Sequence, residues 1–171
     1  LDLNRDFPWD KYMSQPGKVA FNYPWPKVDE FGGSPAIPSD VPLELTVDYW
    51  FSRNNVDSHP NADAHFTPRA GLAKFLVIDE GDTSKKSYKR LHRYRYSPTA
   101  AYGNNEVHLH PFKARRISAA EAMAIQSLPR EFELPTSMTL SSMYKTIGNG
   151  VPYLFSYGIA STIKFYLELD K

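Results

Sequence analysis

Ile117-Ser118-Ala119-Ala120-Glu121-Ala122-Met123-Ala124-Ile125-Gln126-Ser127-Leu128-Pro129 is the stretch on which a reading of this chain turns. Ser118 at the N-cap with Glu121 three residues later forms a capping box, in which each side chain satisfies a backbone donor that the first helical turn leaves open, and Ile117 with Ala122 supplies a small hydrophobic staple. Ala122, Ile125 and Leu128 recur on one face, and Pro129 stops the helix because it lacks an N–H and clashes with the preceding turn. A helix bounded this clearly needs a partner surface for its apolar face.

Working outward, a second short helix is predicted from Thr139 to Lys145, with Gly148-Asn149-Gly150 after it. Pro152 suits the first turn of a further helix, along which Phe155, Ile159, Ile163 and Tyr166 keep helical spacing. The β-branched and aromatic content of residues 159–167 also suits a strand. Toward the N-terminus, Phe7 to Pro42 reads as loop, punctuated by Tyr23-Pro24-Trp25-Pro26, Phe31-Gly32-Gly33-Ser34-Pro35 and Ile37-Pro38, with a short strand at Lys18 to Tyr23. Leu43 to Phe51 predicts a short helix with Asp40 as cap and Pro42 in its first turn. The apolar run Leu72 to Ile78 reads as a buried strand, Ser84 to Tyr102 as basic loop and strand, and Glu106 to His110 as another strand.

With 171 residues, 23% charged and 42% hydrophobic, the chain matches one globular domain rather than a disordered, collagenous or coiled-coil polypeptide. No apolar run approaches the ~20 residues of a membrane span, so the expectation is a soluble, unsecreted, cytoplasmic protein. The absence of cysteine excludes disulfides, thiolate metal sites and a thiolate nucleophile carried by this chain. A first residue other than Met points to a trimmed or processed chain or a piece of something longer.

The net charge of +1 hides a strong polarity. Residues 1–83 hold seven basic and thirteen acidic side chains, residues 84–116 nine and one, and residues 117–171 four and five. Lys85, Lys86, Lys89, Arg90, Arg93 and Arg95 fall together with Tyr88, Tyr94 and Tyr96 between them. Clustered cations attract phosphate by counterion release, and tyrosine hydrogen-bonds phosphate or stacks on bases, so nucleic acid is the expected partner; a solvated charged loop is the alternative. His59 with His65, and His108 with His110, have ligand chemistry but lack a third convergent ligand, so no metal site is expected.

Three blocks carry a family resemblance. They are Arg90-Leu91-His92 with Pro98-Thr99; His110-Pro111, Arg116, Ile117, Ser118, Glu121, Ala122, Ile125, Gln126, Leu128 and Pro129; and Tyr144-Lys145 with Ile147-Gly148-Asn149-Gly150-Val151-Pro152. In order and spacing they resemble the C-terminal part of DNA cytosine-5 methyltransferases, closely from Ser87 onward and loosely before it. The family's cofactor loop, Pro-Cys-Gln nucleophile, Glu-Asn-Val acid and Gln-x-Arg-x-Arg block have no match here. The resemblance therefore implies a target-recognition and C-terminal portion, a split-enzyme subunit or a fragment, inactive alone and carrying no catalytic residue.

It also implies an α+β architecture: a Pro-rich connecting segment at 1–42, a strand-containing target-recognition region at 43–129, and helices at 130–171 that dock on an absent Rossmann-like half. Double-stranded DNA and that catalytic half are the implied partners, and S-adenosylmethionine, shared with the missing half, is the implied cofactor. Asn149, Gly150 and Val151 would approach its methionine end, with open N–H groups at a helix start suiting a carboxylate. Lys85, Lys86, Lys89, Arg90, Arg93 and Arg95 would hold phosphates, Thr99 would contact DNA unless it is buried, Asn104 or Asn105 would read major-groove bases, and Arg116 would face either DNA or the core. A DNA-binding module without enzymatic partner, and a portion of an RNA cytosine-5 methyltransferase, are the competing expectations.

Overall fold

A computed structural model of the chain describes residues 25–39, 41–68, 72–100, 102 and 106–169. Among the described residues there are five α-helices: α1 (Val47–Arg53), α2 (Leu72–Leu76), α3 (Ala119–Ile125), α4 (Leu140–Asn149) and α5 (Tyr153–Leu169). Two 3-10 turns, Leu43–Leu45 and Val56–Ser58, flank α1. Among the described residues β structure is limited to two isolated bridges, Leu109 pairing with Arg90 on one side and Arg116 on the other. The strand expected at Lys18 to Tyr23 and the cap expected at Asp40 lie outside the described residues.

The capping box forms as the sequence demands: Ser118 Oγ accepts from Glu121 N at 3.2 Å, and Glu121 Oε2 accepts from Ser118 N at 2.8 Å. Ala119, Ala120, Ala122, Met123 and Ala124 are all buried, and the four small alanines let α3 lie between α1 and α4 at the centre of the core. Two further α3 donors are met from outside the helix, Ala119 N by Ala64 O and Ala120 N by Asn61 O. Asn61 is itself buried and pairs both its amide atoms with the backbone of Leu134, tying the segment after α1 to the loop between α3 and α4.

The strands expected at Glu106 to His110 and within Ser84 to Tyr102 amount, among the described residues, to the bridges at Leu109 and Arg90, and two further local readings are corrected. Leu72 to Ile78 is helical over Leu72–Leu76, and Phe75 is its one buried residue, while Leu72, Leu76 and Val77 face out. A short apolar run carries no periodicity to separate helix from strand. Upstream, the residue that caps α1 is Thr46, whose Oγ1 accepts from Tyr49 N, so the helix starts later than Leu43. The donors Val47 N and Asp48 N bond the carbonyls of Arg95 and Arg93, which seats α1 on the basic segment. At the other end α4 begins at its cap Thr139 and runs through Gly148 and Asn149, with Gly150 as C-cap. Residues 153–169 form a helix, not a strand.

Glu121 does more than cap. Buried at 1% exposure, it takes both guanidinium forks of Arg115 at 2.7 and 2.8 Å. His110 Nδ1 accepts from Phe112 N and Lys113 N, so its proton sits on Nε2, which faces Glu121 Oε1 at 3.4 Å. Arg90 is fully buried with no ion-paired carboxylate among the described residues, and its guanidinium donates instead to the carbonyls of Phe75, Ile78, His110 and Lys113. Burial lowers its pKa to about 10, so it stays charged at neutral pH. This one side chain holds α2, the Leu109 bridge and the Lys113 turn together. Arg90→Ala would leave those carbonyls unpaired and is expected to destabilise the fold by ~3 kcal/mol or more in urea unfolding, with Lys85→Ala as a neutral control.

Acid should unfold the domain through two histidines. Burial, reinforced by Lys89 and Arg116, lowers His108 to about 4, and burial with Arg115, Lys113, Arg90 and Arg93 lowers His110 to about 2. An unfolded histidine titrates near 6.5, so below that pH the unfolded chain binds more protons than the folded one. The stabilising contribution is therefore complete above pH 6.5 and is lost as pH falls through that value toward the folded values. Unfolding free energy is expected to drop by about 2–5 kcal/mol between pH 7 and pH 4.5, at up to ~1.4 kcal/mol per unit for each histidine, and a pH-independent urea midpoint would contradict this.

Candidate functional site

The basic run divides into two populations once folded. Arg93 forms a near-dry ion pair, its guanidinium on both oxygens of Glu80 at about 3.0 Å and its Nη2 on Gly33 O at 2.6 Å. The aromatic face of Phe112 covers it at 4.3 Å. Arg116 is buried too, donating to Val107 O beneath the ring of Tyr88, and Arg90 is spent inside as described. Arg90 and Arg93, expected to hold phosphates, and Arg116, expected to face either DNA or the core, have their donors turned into the fold, because a buried guanidinium must find acceptors there.

The outward-facing cations are Lys85, Lys86, Lys89 and Arg95. Lys85 and Lys86 are exposed, Lys86 reaching Glu106 at 3.3 Å, and Lys89 is half-buried. Arg95 stacks between Trp25 and Tyr96, about 5.4 and 5.3 Å from their ring centres. Thr99 is exposed rather than buried in a strand. Asn104 and Asn105 lie outside the described residues.

A cavity of about 500 Å³ joins segments far apart in sequence. Trp50 of α1, Pro98 and Thr99, Gln126 at the end of α3, and Gly148 and Gly150 around the end of α4 all line it. At its edge Asn149, Gly150 and Val151 are exposed, Val151 at 60%. A Cβ at Gly150 would lie 3.3 Å from Ile147 O, and one at Gly148 3.3 Å from Tyr102 Cβ, so both glycines allow close chain approach. The helix start after the turn offers fewer open donors than expected, since Tyr153 N bonds Gln126 O and Leu154 N bonds Ser127 Oγ. What the turn presents instead is the amide residue Asn149 beside an apolar Val151, both exposed.

α5 leaves this site with little of it buried among the described residues. Among its described side chains Leu154 alone is buried, while Phe155, Ile159, Ile163, Phe165, Tyr166 and Leu167 are exposed. No helix among the described residues is long and apolar enough to cross a membrane. No group of three metal-binding side chains occurs among the described residues. His108 is instead packed edge-on against Tyr102. Sequence reasoning missed the burial of Arg90 and Arg93, left Arg116 between DNA and the core, and missed the role of Ser127, whose Oγ accepts from the distant Leu154 N.

Residues 39–164 match the family of C-5 cytosine-specific DNA methylases. The chain is 63% identical, over 98% of its length, to the type II methyltransferase M.NmeDI of Neisseria meningitidis serogroup C. It is 31% identical over 52% of its length to the type II methyltransferase M.DdeI of Desulfomicrobium norvegicum, and 30% over 59% to the type II methylase M.HgiDII of Herpetosiphon aurantiacus. It spans 40%, 23% and 30% of those three relatives. No solved structure matches the chain significantly. With the family matched over residues 39–164, well over half its length, the chain belongs to the C-5 cytosine-specific DNA methylases.

Proposed function

We propose that this chain is the DNA-recognition and cofactor-pocket-completing portion of a DNA (cytosine-5) methyltransferase and works with a catalytic half that carries the thiolate. The observation that carries the reading is the cavity shared by Pro98-Thr99 and the Gly148 to Pro152 turn, which sets a segment of the basic region against the segment assigned to the cofactor. Residues 1–42 connect, 43–129 recognise DNA and 130–171 return to the catalytic half, in an α+β whole.

Each exposed group then has a task. Lys85, Lys86, Lys89 and Arg95 bind phosphates, Thr99 contacts the backbone beside the target, and Asn104 or Asn105 reads bases. Their contacts offset the few kcal/mol that extruding the target cytosine costs. Arg90, Arg93 and Arg116 act one step back, bracing the segment that presents Lys89 and Tyr88. S-adenosylmethionine, when bound, supplies the methyl group for cytosine C5. Asn149 hydrogen-bonds its polar end, Gly150 lets the backbone come close, and Val151 contacts its methylene chain. The apolar face of α5 is covered by the catalytic half, which also excludes water from the cavity.

Lys85→Ala combined with Lys86→Ala removes two phosphate contacts. It is expected to weaken duplex binding and to flatten the salt dependence of log K by about 1.8; an unchanged slope would remove these lysines from the interface. Asn149→Ala in the assembled enzyme is expected to raise the Kd for S-adenosylmethionine about 5- to 10-fold while duplex affinity holds, and calorimetry showing no change would count against the cofactor assignment.

A further inference from the structure

We propose that Gln126 and Ser127 are positioning residues that clamp the Gly148 to Pro152 turn, setting where Asn149 and Val151 stand; the proposal rests on the reading of that turn as a wall of the cofactor site. The clamp closes from both sides. Gln126 Nε2 donates to Ile147 O at 3.4 Å, just before the turn, and Gln126 O accepts from Tyr153 N at 3.0 Å, just after it. Ser127 Oγ accepts from Leu154 N at 3.1 Å and donates to Gln126 O at 2.7 Å. Two adjacent residues at the C-terminal end of α3 therefore hold the last turn of α4 and cap the first turn of α5. Carbonyls at the end of one helix meeting N–H groups at the start of another is also a favourable pairing of helix dipoles.

The backbone supports this assignment. Ser127 sits at φ 55°, a left-handed conformation that glycine adopts with less strain. The serine hydroxyl is buried and both its bonds serve the clamp, so what it adds over glycine is the hold on α5. Little else constrains that helix start, because Leu154 is the one buried side chain among those described in α5. Loosening the clamp would let the turn and α5 shift while the packing of α1, α3 and α4 stays as it is.

Ser127→Gly separates positioning from stability, since glycine fits the backbone but removes the hydroxyl. In the assembled methyltransferase it is expected to keep the thermal midpoint and duplex affinity, to speed amide exchange at Leu154 at least ~10-fold, and to raise the calorimetric Kd for S-adenosylmethionine about fivefold. Gln126→Leu should act in the same direction through Ile147. If Asn149→Ala weakens cofactor binding and Ser127→Gly does not, the clamp is wrong and the reading of the turn stands. If neither variant changes cofactor binding, the reading of the turn fails and the clamp fails with it.

Discussion

Burying charge without water is the constraint that organises this chain. Glu121, at the centre of the core, is satisfied by Ser118, Arg115 and the Nε2 side of His110, and Arg93 by Glu80. Arg90 draws its hydrogen bonds from carbonyl oxygens, and supplying them requires α2, the Leu109 bridge and the Lys113 turn to converge on one point. Removing any one partner leaves a buried charge short of acceptors, which costs far more than the pairing adds. With so little regular β structure in the described region, the polar network does the work that a sheet's ladder would do elsewhere.

The same network sets what faces outward. Because Arg90, Arg93 and Arg116 brace the basic segment from within, Lys85, Lys86, Lys89 and Arg95 are carried on a defined scaffold instead of a floppy charged loop. Because α3 ends against the start of α5, the segment around Asn149 is held beside Thr99 at one cavity. The apolar side chains of α5 from Phe155 to Leu167 are exposed. The proposed portion, gripping DNA on one side and meeting a catalytic half on another, would account for all three features together.

Legibility in the sequence followed the range of the interactions. α3 could be read because a capping box is complete within four residues, and α4 and α5 because Thr139 and Pro152 mark their starts locally. Leu72 to Ile78 was misread because its conformation depends on Phe75 packing and on Arg90 drawing the carbonyls of Phe75 and Ile78 to itself. The blocks containing Arg90, Glu121 and Asn149 stood out by resemblance to a family, yet six clustered cations gave no sign of which would turn inward. That choice depends on Glu80, Gly33 and Val107, distant in sequence or unremarkable in type. The Gln126–Ser127 contact with residues 147–154 likewise has no local signature.

The most direct test of the central claim is transfer of labelled methyl groups from S-adenosylmethionine to duplex DNA by this chain, by a polypeptide supplying the family's thiolate-bearing half, and by the two mixed. Transfer by the mixture and by neither component is the result expected if this chain recognises DNA and closes the cofactor site without making the bond. Transfer by these 171 residues alone would contradict it.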